Sequence, residues 1–191
     1  RLQVYQGLSN DLAAIEPPVW SGLIASFLQR QGFSVTIIDA EAEGLRHNET
    51  ARAIAELHPT LAVFCIYGQQ PSASTQCMPA GSKSCAELNK ISDVLTLVLG
   101  THPSALPART LVEEPYTFLC QGEGPYTISG LIKAIQEGSN FSIVPGLWYR
   151  NDEGAIVGTK PAPNITDLDG DLQRQAWELL DMSRYRAHNW H

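Results

Sequence analysis

The stretch LTLVLGTHPSALPA, residues 95–108, decides the fold, because an unbroken apolar run turns directly into a loop of small and polar residues. The run at 95–99 does not alternate between apolar and polar side chains, which is typical of a strand buried on both faces of a parallel sheet. Glycine, threonine, histidine and proline follow it at once. Ligands of open parallel sheets bind beyond the carboxyl ends of the strands, so this loop is a candidate binding loop.

Four other segments share this texture, and amphipathic stretches separate them. The predicted strands are short and rich in Val, Ile, Leu and Phe, and they lie at residues 2–5, 33–38, 61–66, 95–99 and 116–120. The predicted helical stretches lie at residues 17–32, 48–59, 72–92 and 124–138. Pro79 and Gly81 predict that the third of these stretches is broken into two helical pieces. The alternation over residues 1–138 predicts an α/β fold: a doubly wound, Rossmann-like, parallel five-stranded sheet with helices on both faces.

Beyond residue 138 the pattern changes. Residues 146–160, GLWYRNDEGAIVGTK, place two strand-like runs around an Asn-Asp-Glu-Gly turn and predict a short β-hairpin. Residues 161–173 are rich in Pro, Asp and Asn and predict a linker that leaves the domain. We therefore divide the chain into a domain over residues 1–138 and a hairpin with connector over residues 139–191.

Composition and charge narrow the classes of partner. The 191 residues are 43% hydrophobic and 17% charged, as expected for one globular domain with a sizeable core. A formal net charge of −7 argues against binding of nucleic acid or of an anionic membrane surface. No apolar run approaches the roughly 18 residues of a membrane-spanning helix, and the four scattered cysteines suit a reducing compartment. We therefore expect a cytoplasmic protein with no nucleic-acid or membrane partner.

Three consecutive predicted strands end in loops of similar chemistry. The loops read YGQQPSAST at residues 67–75, GTHPSALPA at 100–108 and QGEGP at 121–125. Each combines glycine, which lets a backbone approach a ligand closely, with hydroxyl or amide side chains or with a helix start whose free N–H groups bind anions. The same residue types serve ordinary strand-to-helix turns, so the loops alone leave both a polar ligand cradle and plain turn structure open.

Four motifs that include these loops follow one another along the chain. They are AIEPPVWSGLIASFLQRQGFSVTIID at 14–39, YGQQPSAST at 67–75, GTHPSALPARTL at 100–111 and QGEGPYTISGLI at 121–132. In this order and spacing they resemble the N-terminal cobalamin-binding domain of B12-dependent radical SAM enzymes. The resemblance spans about residues 1–137, and the segments that follow are similar to the connector that enters the radical SAM barrel of that family.

The resemblance implies a cobalamin that lies across the carboxyl edge of the sheet, above the first of these loops and with its nucleotide tail along the other two. The cofactor-binding residues that it implies are Tyr67, Gly68, Gln69, Gln70, Ser72, Ser74, Thr75, Gly100, Thr101, His102, Ser104, Gly122, Glu123 and Gly124. The axial-histidine motif Asp-x-His-x-x-Gly of other B12 domains is absent from the sequence, so a His-off cobalamin is expected. His102 is open to two interpretations, a cobalt ligand or a residue that binds the tail or orders its loop.

The cysteines bear on the radical chemistry. A radical SAM cluster needs three thiolates in a Cys-x3-Cys-x2-Cys loop, and this chain has no such loop. Its cysteines stand far apart, at positions 65, 77, 85 and 120, and Cys65 and Cys120 are expected to lie in the core. We therefore expect S-adenosylmethionine and a 4Fe-4S cluster only in a C-terminal part outside this chain, and we assign neither catalytic residues nor a metal site within it.

These observations predict the cobalamin-binding domain of a B12-dependent radical SAM enzyme, with relay of a methyl group from S-adenosylmethionine as the expected activity of the whole. Without the cluster motif the chain would not be catalytic alone, so its status as an enzyme is open. Its expected partners are cobalamin and a radical SAM domain in the same chain. Two alternatives remain: a corrin-free docking module of a radical SAM protein, and a doubly wound binder of a nucleotide or sugar phosphate.

Overall fold

A computed structural model describes residues 14–68 and 71–186 of the chain. The helices are α1 (Val19–Arg30), α2 (His47–Glu56), α3 (Pro71–Leu88), α4 (Thr101–Ala105), α5 (Pro107–Glu113), α6 (Pro125–Glu137) and α7 (Leu168–Asp171). The strands are β1 (Ala62–Ile66), β2 (Thr96–Gly100), β3 (Phe118–Cys120), β4 (Leu147–Arg150) and β5 (Ile156–Gly158). Short 3-10 turns lie at Phe141–Ile143, Trp177–Leu179 and Met182–Arg184.

The five strands form one sheet in the order β1-β2-β3-β4-β5. β1, β2 and β3 run parallel, whereas β4 is antiparallel to β3 and β5 is antiparallel to β4. Leu97, in the centre of the sheet, lies opposite Val63 on β1 and Phe118 on β3. Parallel neighbours need a crossover, which α3 supplies between β1 and β2, and α4 with α5 between β2 and β3. The carboxyl ends of three strands therefore meet at one edge.

Both faces of this sheet are covered by helices. Leu97 and Leu99 pack in a cluster with residues of α1 and α6, whereas Val98 packs in a second cluster with residues of α2, α3 and α5. All three side chains have no exposed surface. The apolar run at 95–99 is thus buried on both sides, which confirms the predicted α/β, doubly wound architecture.

Neither of the first two predicted strands is among the strands that the structure describes. Residues 2–5 lie outside the described residues. The structure differs from the prediction at residues 33–38, which belong to none of the described strands and line a cleft of about 1560 Å3 together with β1. A strand needs a neighbour to complete its backbone hydrogen bonds, and none of the described strands pairs with residues 33–38.

The helix after β1 is continuous, so the prediction of two pieces separated near Pro79 and Gly81 is wrong: α3 runs for 18 residues. The glycine lies where the helix meets the sheet. A Cβ at Gly81 would overlap the side chain of Ile66 and would lie 3.0 Å from the hydroxyl of Tyr116. Close packing of α3 against β1 therefore overrides the local tendency of proline and glycine to end a helix.

The hairpin predicted after residue 138 is present and extends the sheet. Asn151 donates its backbone N–H to Ala155 at 2.9 Å and closes the turn between β4 and β5. Gly154 has a φ of 78°, a conformation that favours glycine. Trp148 of β4 lies opposite Leu119 of β3, so the hairpin is hydrogen-bonded to the parallel strands.

The segment after the hairpin returns along α1, whereas the sequence predicts a linker that leaves the domain. We call residues 165–186 the strap. The Arg30 guanidinium donates to the backbone carbonyls of Gly170 and Asp171. The strap donates the Ala176 N–H to the carbonyl of Gly22 at 3.2 Å. These contacts join both ends of α1 to the strap.

The described residues offer no transmembrane element: none of their helices has both the length and the apolar composition that a bilayer crossing requires.

Candidate functional site

A small cavity of about 220 Å3 lies at the edge where β1, β2 and β3 end. Every one of the three predicted loops contributes to it, and so does the first turn of α1. Its lining residues are Trp20, Tyr67, Gly100, Thr101, Ser104, Gly122 and Glu123. The topology thus brings together residues that stand far apart in the sequence, as expected for the carboxyl edge of a parallel sheet.

Gly100, the last residue of β2, allows the backbones to approach each other at this edge. Its φ is 148°, and a Cβ at this position would overlap the backbone carbonyl of Ile66 at the end of β1. A side chain here would therefore separate the two strand ends. The stretch at residues 95–108 therefore has its glycine at the position where the fold needs one.

Ser74 joins the ends of these strands through a buried hydroxyl. The hydroxyl donates to the carbonyl of Ile66 and accepts the backbone N–H of His102, which lies 3.0 Å away. Ser74 has no exposed surface, so both bonds are protected from competition by water. One side chain of α3 therefore fixes the start of α4 relative to β1.

His102 is held from its side chain as well. Its Nδ1 lies 3.0 Å from the hydroxyl oxygen of Thr75 on α3. This contact agrees with the interpretation that His102 orders its loop. The described residues contain no cluster of three or more His, Cys, Asp or Glu side chains placed to hold a metal ion.

A second set of hydrogen bonds joins the loop after β2 to the loop after β3. The backbone N–H of Gly122 donates to the Ser104 hydroxyl at 3.1 Å, and the Gln121 side-chain amide donates to the Ser104 carbonyl at 3.1 Å. The indole N–H of Trp148 in turn donates to the side-chain oxygen of Gln121 at 2.9 Å. The hairpin is thereby linked to the cavity wall.

Two aromatic rings form one wall of the cavity. The rings of Trp20 and Tyr67 are stacked, with centroids 5.7 Å apart and planes 28° apart. Trp20 is 46% exposed, and much of its ring is therefore available to a ligand. Burial raises the pKa of the Tyr67 phenol well above its usual value, so the phenol stays neutral at physiological pH.

The loop after β3 is shaped by glycine. Gly122 and Gly124 have φ values of 111° and 107°. A Cβ on Gly124 would lie 2.7 Å from the side chain of Leu99, whereas a Cβ on Gly122 would meet no described atom within 4 Å. The carboxylate of Glu123, between them, accepts the N–H of Ile165 in the strap at 2.7 Å.

The predicted site residues fall into groups. Those that line the cavity are Tyr67, Gly100, Thr101, Ser104, Gly122 and Glu123, and those that support it from behind are Ser74, Thr75 and His102. Gly68, Ser72 and Gly124 lie in the same loops outside the lining. Gln69 and Gln70 lie outside the described residues.

Sequence reasoning missed Trp20, Gln121 and Trp148. Trp20 has the spacing of an apolar residue on an amphipathic helix, and nothing in that spacing marks it as a site residue. Its position in the first turn after the first predicted strand is the signal that could have placed it at the carboxyl edge. Trp148 and Gln121 are linked by a side-chain contact that no local pattern indicates.

The cysteines play no part in this site. Cys85 and Cys120 have no exposed surface. Burial raises the pKa of the Cys85 thiol to about 11 and that of Cys120 to about 12. Both thiols are therefore protonated and unreactive at neutral pH. Cys65 is half-buried and packs against the core cluster that contains Cys120, with Leu99 between the two in the sheet.

Comparison with known families decides what kind of domain this is. The family model of the B12 binding domain matches residues 6–132. The chain belongs to this family. The B12-binding domain accounts for all three loops of the cavity and for the first turn of α1, because each lies within the matched residues.

The B12-binding domain also has curated relatives. The chain is 30% identical over 171 residues to an anaerobic magnesium-protoporphyrin IX monomethyl ester cyclase of Synechocystis sp., a match that covers 88% of the chain and 33% of the relative. It is 27% identical to an uncharacterized methyltransferase of Pyrococcus horikoshii, over 90% of the chain and 36% of the relative. The chain thus spans about a third of the length of the curated relatives that it matches.

Solved structures share the fold of this B12-binding domain. The radical S-adenosylmethionine methyltransferase TsrM from Kitasatospora setae matches with a TM-score of 0.67 and 19% identity, over 78% of this chain and 28% of that one. The cobalamin-dependent S-adenosylmethionine radical enzyme OxsB with aqua-cobalamin bound matches with a TM-score of 0.65 and 19% identity, over 87% of this chain and 22% of that one.

Proposed function

We propose that this chain binds cobalamin at the carboxyl edge of its sheet and that the whole protein is a B12-dependent radical SAM enzyme which transfers a methyl group from S-adenosylmethionine. The observation that carries the proposal is the cavity of about 220 Å3 at that edge, which combines stacked aromatic rings with glycine and hydroxyl groups. An aromatic base joined to a phosphate needs these two kinds of contact side by side. The nucleotide tail of cobalamin is such a group.

The residues present fit this tail. The exposed part of the Trp20 ring offers a flat surface for the base. Ser104 accepts the N–H of Gly122, so its own hydroxyl hydrogen is available to a phosphate oxygen. The open space at Gly122 lets the ligand approach the backbone closely.

The charge of the lining favours cobalamin over the alternative ligands. Among the described residues, those that line this cavity include no Lys, Arg or His side chain, and they include the acidic Glu123. A nucleotide or sugar phosphate carries a phosphomonoester with nearly two negative charges, which such a lining does not neutralise. The tail of cobalamin contains a phosphodiester with one charge, which costs less to bind without a cation.

The missing Asp-x-His-x-x-Gly motif supports a His-off cobalamin. His102 lies on α4 beside the cavity, and its Nδ1 lies 3.0 Å from the hydroxyl oxygen of Thr75. We propose that His102 orders the loop and that the lower face of the corrin lies over the loop that starts at Tyr67 and includes Gly68, Gln69, Gln70 and Ser72. In this arrangement the protein residues bind and orient the cofactor, while bound cobalamin supplies the methyl-transfer chemistry.

The remaining parts of the function belong to the whole protein. We propose that residues 1–138 form the cofactor-binding unit and that residues 139–191 connect it to a radical SAM domain in the same chain. That domain would hold S-adenosylmethionine and a 4Fe-4S cluster, for which this chain lacks the cysteine loop. All four cysteines are free, which suits a cytoplasmic protein.

The test is reconstitution of the 191-residue chain with hydroxocobalamin, followed by desalting, cobalt analysis and a visible spectrum. We expect about one cobalt per chain, with the spectrum of a cobalamin whose dimethylbenzimidazole is displaced from cobalt, and no competition from an excess of adenosine monophosphate. Loss of the corrin from a chain that remains folded by circular dichroism would favour the docking module. Displacement by adenosine monophosphate would favour the phosphate binder.

A further inference from the structure

We propose that the hairpin β4–β5 positions the cofactor loop, with Trp148 as the positioning residue that acts through Gln121. This inference rests on the proposed cobalamin site. It assigns a role in ligand binding to the hairpin, a segment that the sequence indicates only as the start of a connector. Neither residue lines the cavity, so both act through residues that do.

The side chain of Gln121 is hydrogen-bonded through both its oxygen and its nitrogen. Its oxygen accepts the indole N–H of Trp148 at 2.9 Å, and its amide nitrogen donates to the carbonyl of Ser104 at 3.1 Å. The Ser104 hydroxyl extends this series of hydrogen bonds, because it accepts the N–H of Gly122 at 3.1 Å. The hairpin, the loop after β2 and the loop after β3 are thus connected in one chain of hydrogen bonds.

The hairpin also holds the backbone of the same glutamine. The N–H of Gln121 donates to the carbonyl of Gly146 at 2.8 Å, and the N–H of Gly146 donates to the carbonyl of Lys160 at 2.7 Å. One end of the hairpin, Gly146, therefore binds Gln121 directly, and the other end, Lys160, binds Gly146. Its backbone and its side chain depend on the same element.

The indole that supplies the terminal donor has a fixed position. Trp148 lies between Leu119 of β3 and Gly158 of β5 in the sheet. A Cβ at Gly158 would lie 2.7 Å from the indole Cζ2, so the ring covers the glycine closely. A ring packed in this way has one orientation for its N–H, which is the property that a positioning residue needs.

The consequence for the cavity concerns two of its lining residues. Ser104 and Gly122 come from different loops, and the chain of bonds fixes the distance between them. It also orients the Ser104 hydroxyl, since the oxygen accepts from Gly122 and the hydrogen is directed elsewhere. A hydroxyl oriented before the ligand arrives saves the cost of ordering it on binding.

The test uses Trp148→Phe, which keeps an aromatic ring and removes the N–H, and Gln121→Met, which keeps the length and removes both polar groups. The matched control is Tyr149→Phe, the next residue of β4, whose ring packs against Phe141 on the other face of the sheet. Two readouts are taken: exchange of the Gly122 amide by NMR in the cobalamin-free chain, and the Kd for hydroxocobalamin by absorption titration.

We expect faster exchange of the Gly122 amide in both variants and a Kd raised about threefold by each, since exposed hydrogen bonds contribute at the low end of the usual range. The double variant should raise the Kd no further than the larger single effect, because both changes break the same chain. Tyr149→Phe should change neither readout.

Three results would overturn the proposal. Unchanged Gly122 exchange in the two variants would show that the loop does not depend on the hairpin. Faster exchange with an unchanged Kd would show that the ordered loop does not serve the ligand, and fully additive effects would show that the two residues act separately. Failure of the wild-type chain to bind cobalamin would refute the proposed function itself, and it is recognised before any variant is compared.

Discussion

The side-chain oxygen of Ser74 lies 3.0 Å from the backbone nitrogen of His102, and this contact ties the start of α3 to the start of α4. The same hydroxyl donates to the carbonyl of Ile66. One fully buried side chain therefore satisfies a backbone donor and a backbone acceptor at the edge where the cavity lies.

Ser74→Ala leaves both backbone groups without this partner. We expect it to lower the free energy of unfolding by about 1–3 kcal/mol, the usual cost of buried groups left unpaired. Urea denaturation followed by circular dichroism measures the loss. The control is Ser72→Ala in the same turn, which removes an exposed hydroxyl and should cost no more than about 0.5 kcal/mol. Equal losses in the two variants would contradict the role assigned to Ser74.

Alanine substitutions at two glycines of the site separate the stability cost of steric overlap from that of backbone strain. Gly100 and Gly122 both have positive φ, but a Cβ would overlap the carbonyl of Ile66 at Gly100 and would meet no described atom at Gly122. Gly122→Ala should therefore cost about 1–2 kcal/mol for strain alone, and Gly100→Ala should cost more than that. Thermal unfolding of both variants gives the order. A larger loss from Gly122→Ala would refute the close approach of β1 and β2.

The buried thiols predict how stability depends on pH. Burial raises the pKa of Cys85 to about 11 and that of Cys120 to about 12, whereas a cysteine in an unfolded chain titrates near 8.5. Above about pH 9 the unfolded chain therefore binds fewer protons than the folded one. The free energy of unfolding then falls as pH rises, by up to about 1.4 kcal/mol per pH unit for each thiol.

Cys120→Ala removes one of these contributions. Its free energy of unfolding should be lower than that of the wild type at pH 7 because a buried side chain is truncated. It should fall less steeply between about pH 9 and pH 10.5, because one fewer buried thiol titrates. Urea titrations across this range measure both slopes, and parallel slopes would contradict the raised pKa of Cys120.

Features that depend on local sequence patterns could be predicted from the sequence alone. The uninterrupted run at 95–99 predicted a strand buried on both faces, and Leu97 and Leu99 lie on one face while Val98 lies on the other. The Asn-Asp-Glu-Gly turn predicted the hairpin. These features depend on local periodicity and turn chemistry, which a single sequence contains.

Features that depend on contacts between distant segments could not be predicted in the same way. The continuity of α3 through Pro79 and Gly81 depends on how closely the helix packs against β1. The link between Trp148 and Gln121 depends on the position of the hairpin in the sheet. No local pattern contains this information, because the partners meet only after the sheet has formed.

The strap offers a test of how the domain holds its connector. The Arg30 guanidinium donates to the carbonyls of Gly170 and Asp171, and Arg174 provides a tryptic site in the same segment. Arg30→Met removes both bonds and should speed tryptic cleavage after Arg174 about fivefold, since loosening by about 1 kcal/mol increases the open population by that factor. Mass spectrometry of the digest measures the rate. Arg109→Met is the control, because the contact observed for Arg109 is an ion pair with Glu113 of its own helix. If Arg109→Met accelerates cleavage after Arg174 as much as Arg30→Met does, the effect of Arg30 on the strap is not specific.

The aromatic wall makes the most direct prediction about the ligand. Trp20 lines the cavity and is 46% exposed, whereas Trp177 is 45% exposed and lies outside the lining. Trp20→Ala should raise the Kd for cobalamin about tenfold, because an aromatic surface that stacks on a base contributes about 1–3 kcal/mol, and it should change the unfolding midpoint little. Trp177→Ala removes a ring of similar exposure and should leave the Kd unchanged. If both variants bind cobalamin as the wild type does, the base does not stack on this wall and the tail must lie elsewhere along the edge. If both weaken binding equally, exposed aromatic area rather than the cavity determines affinity.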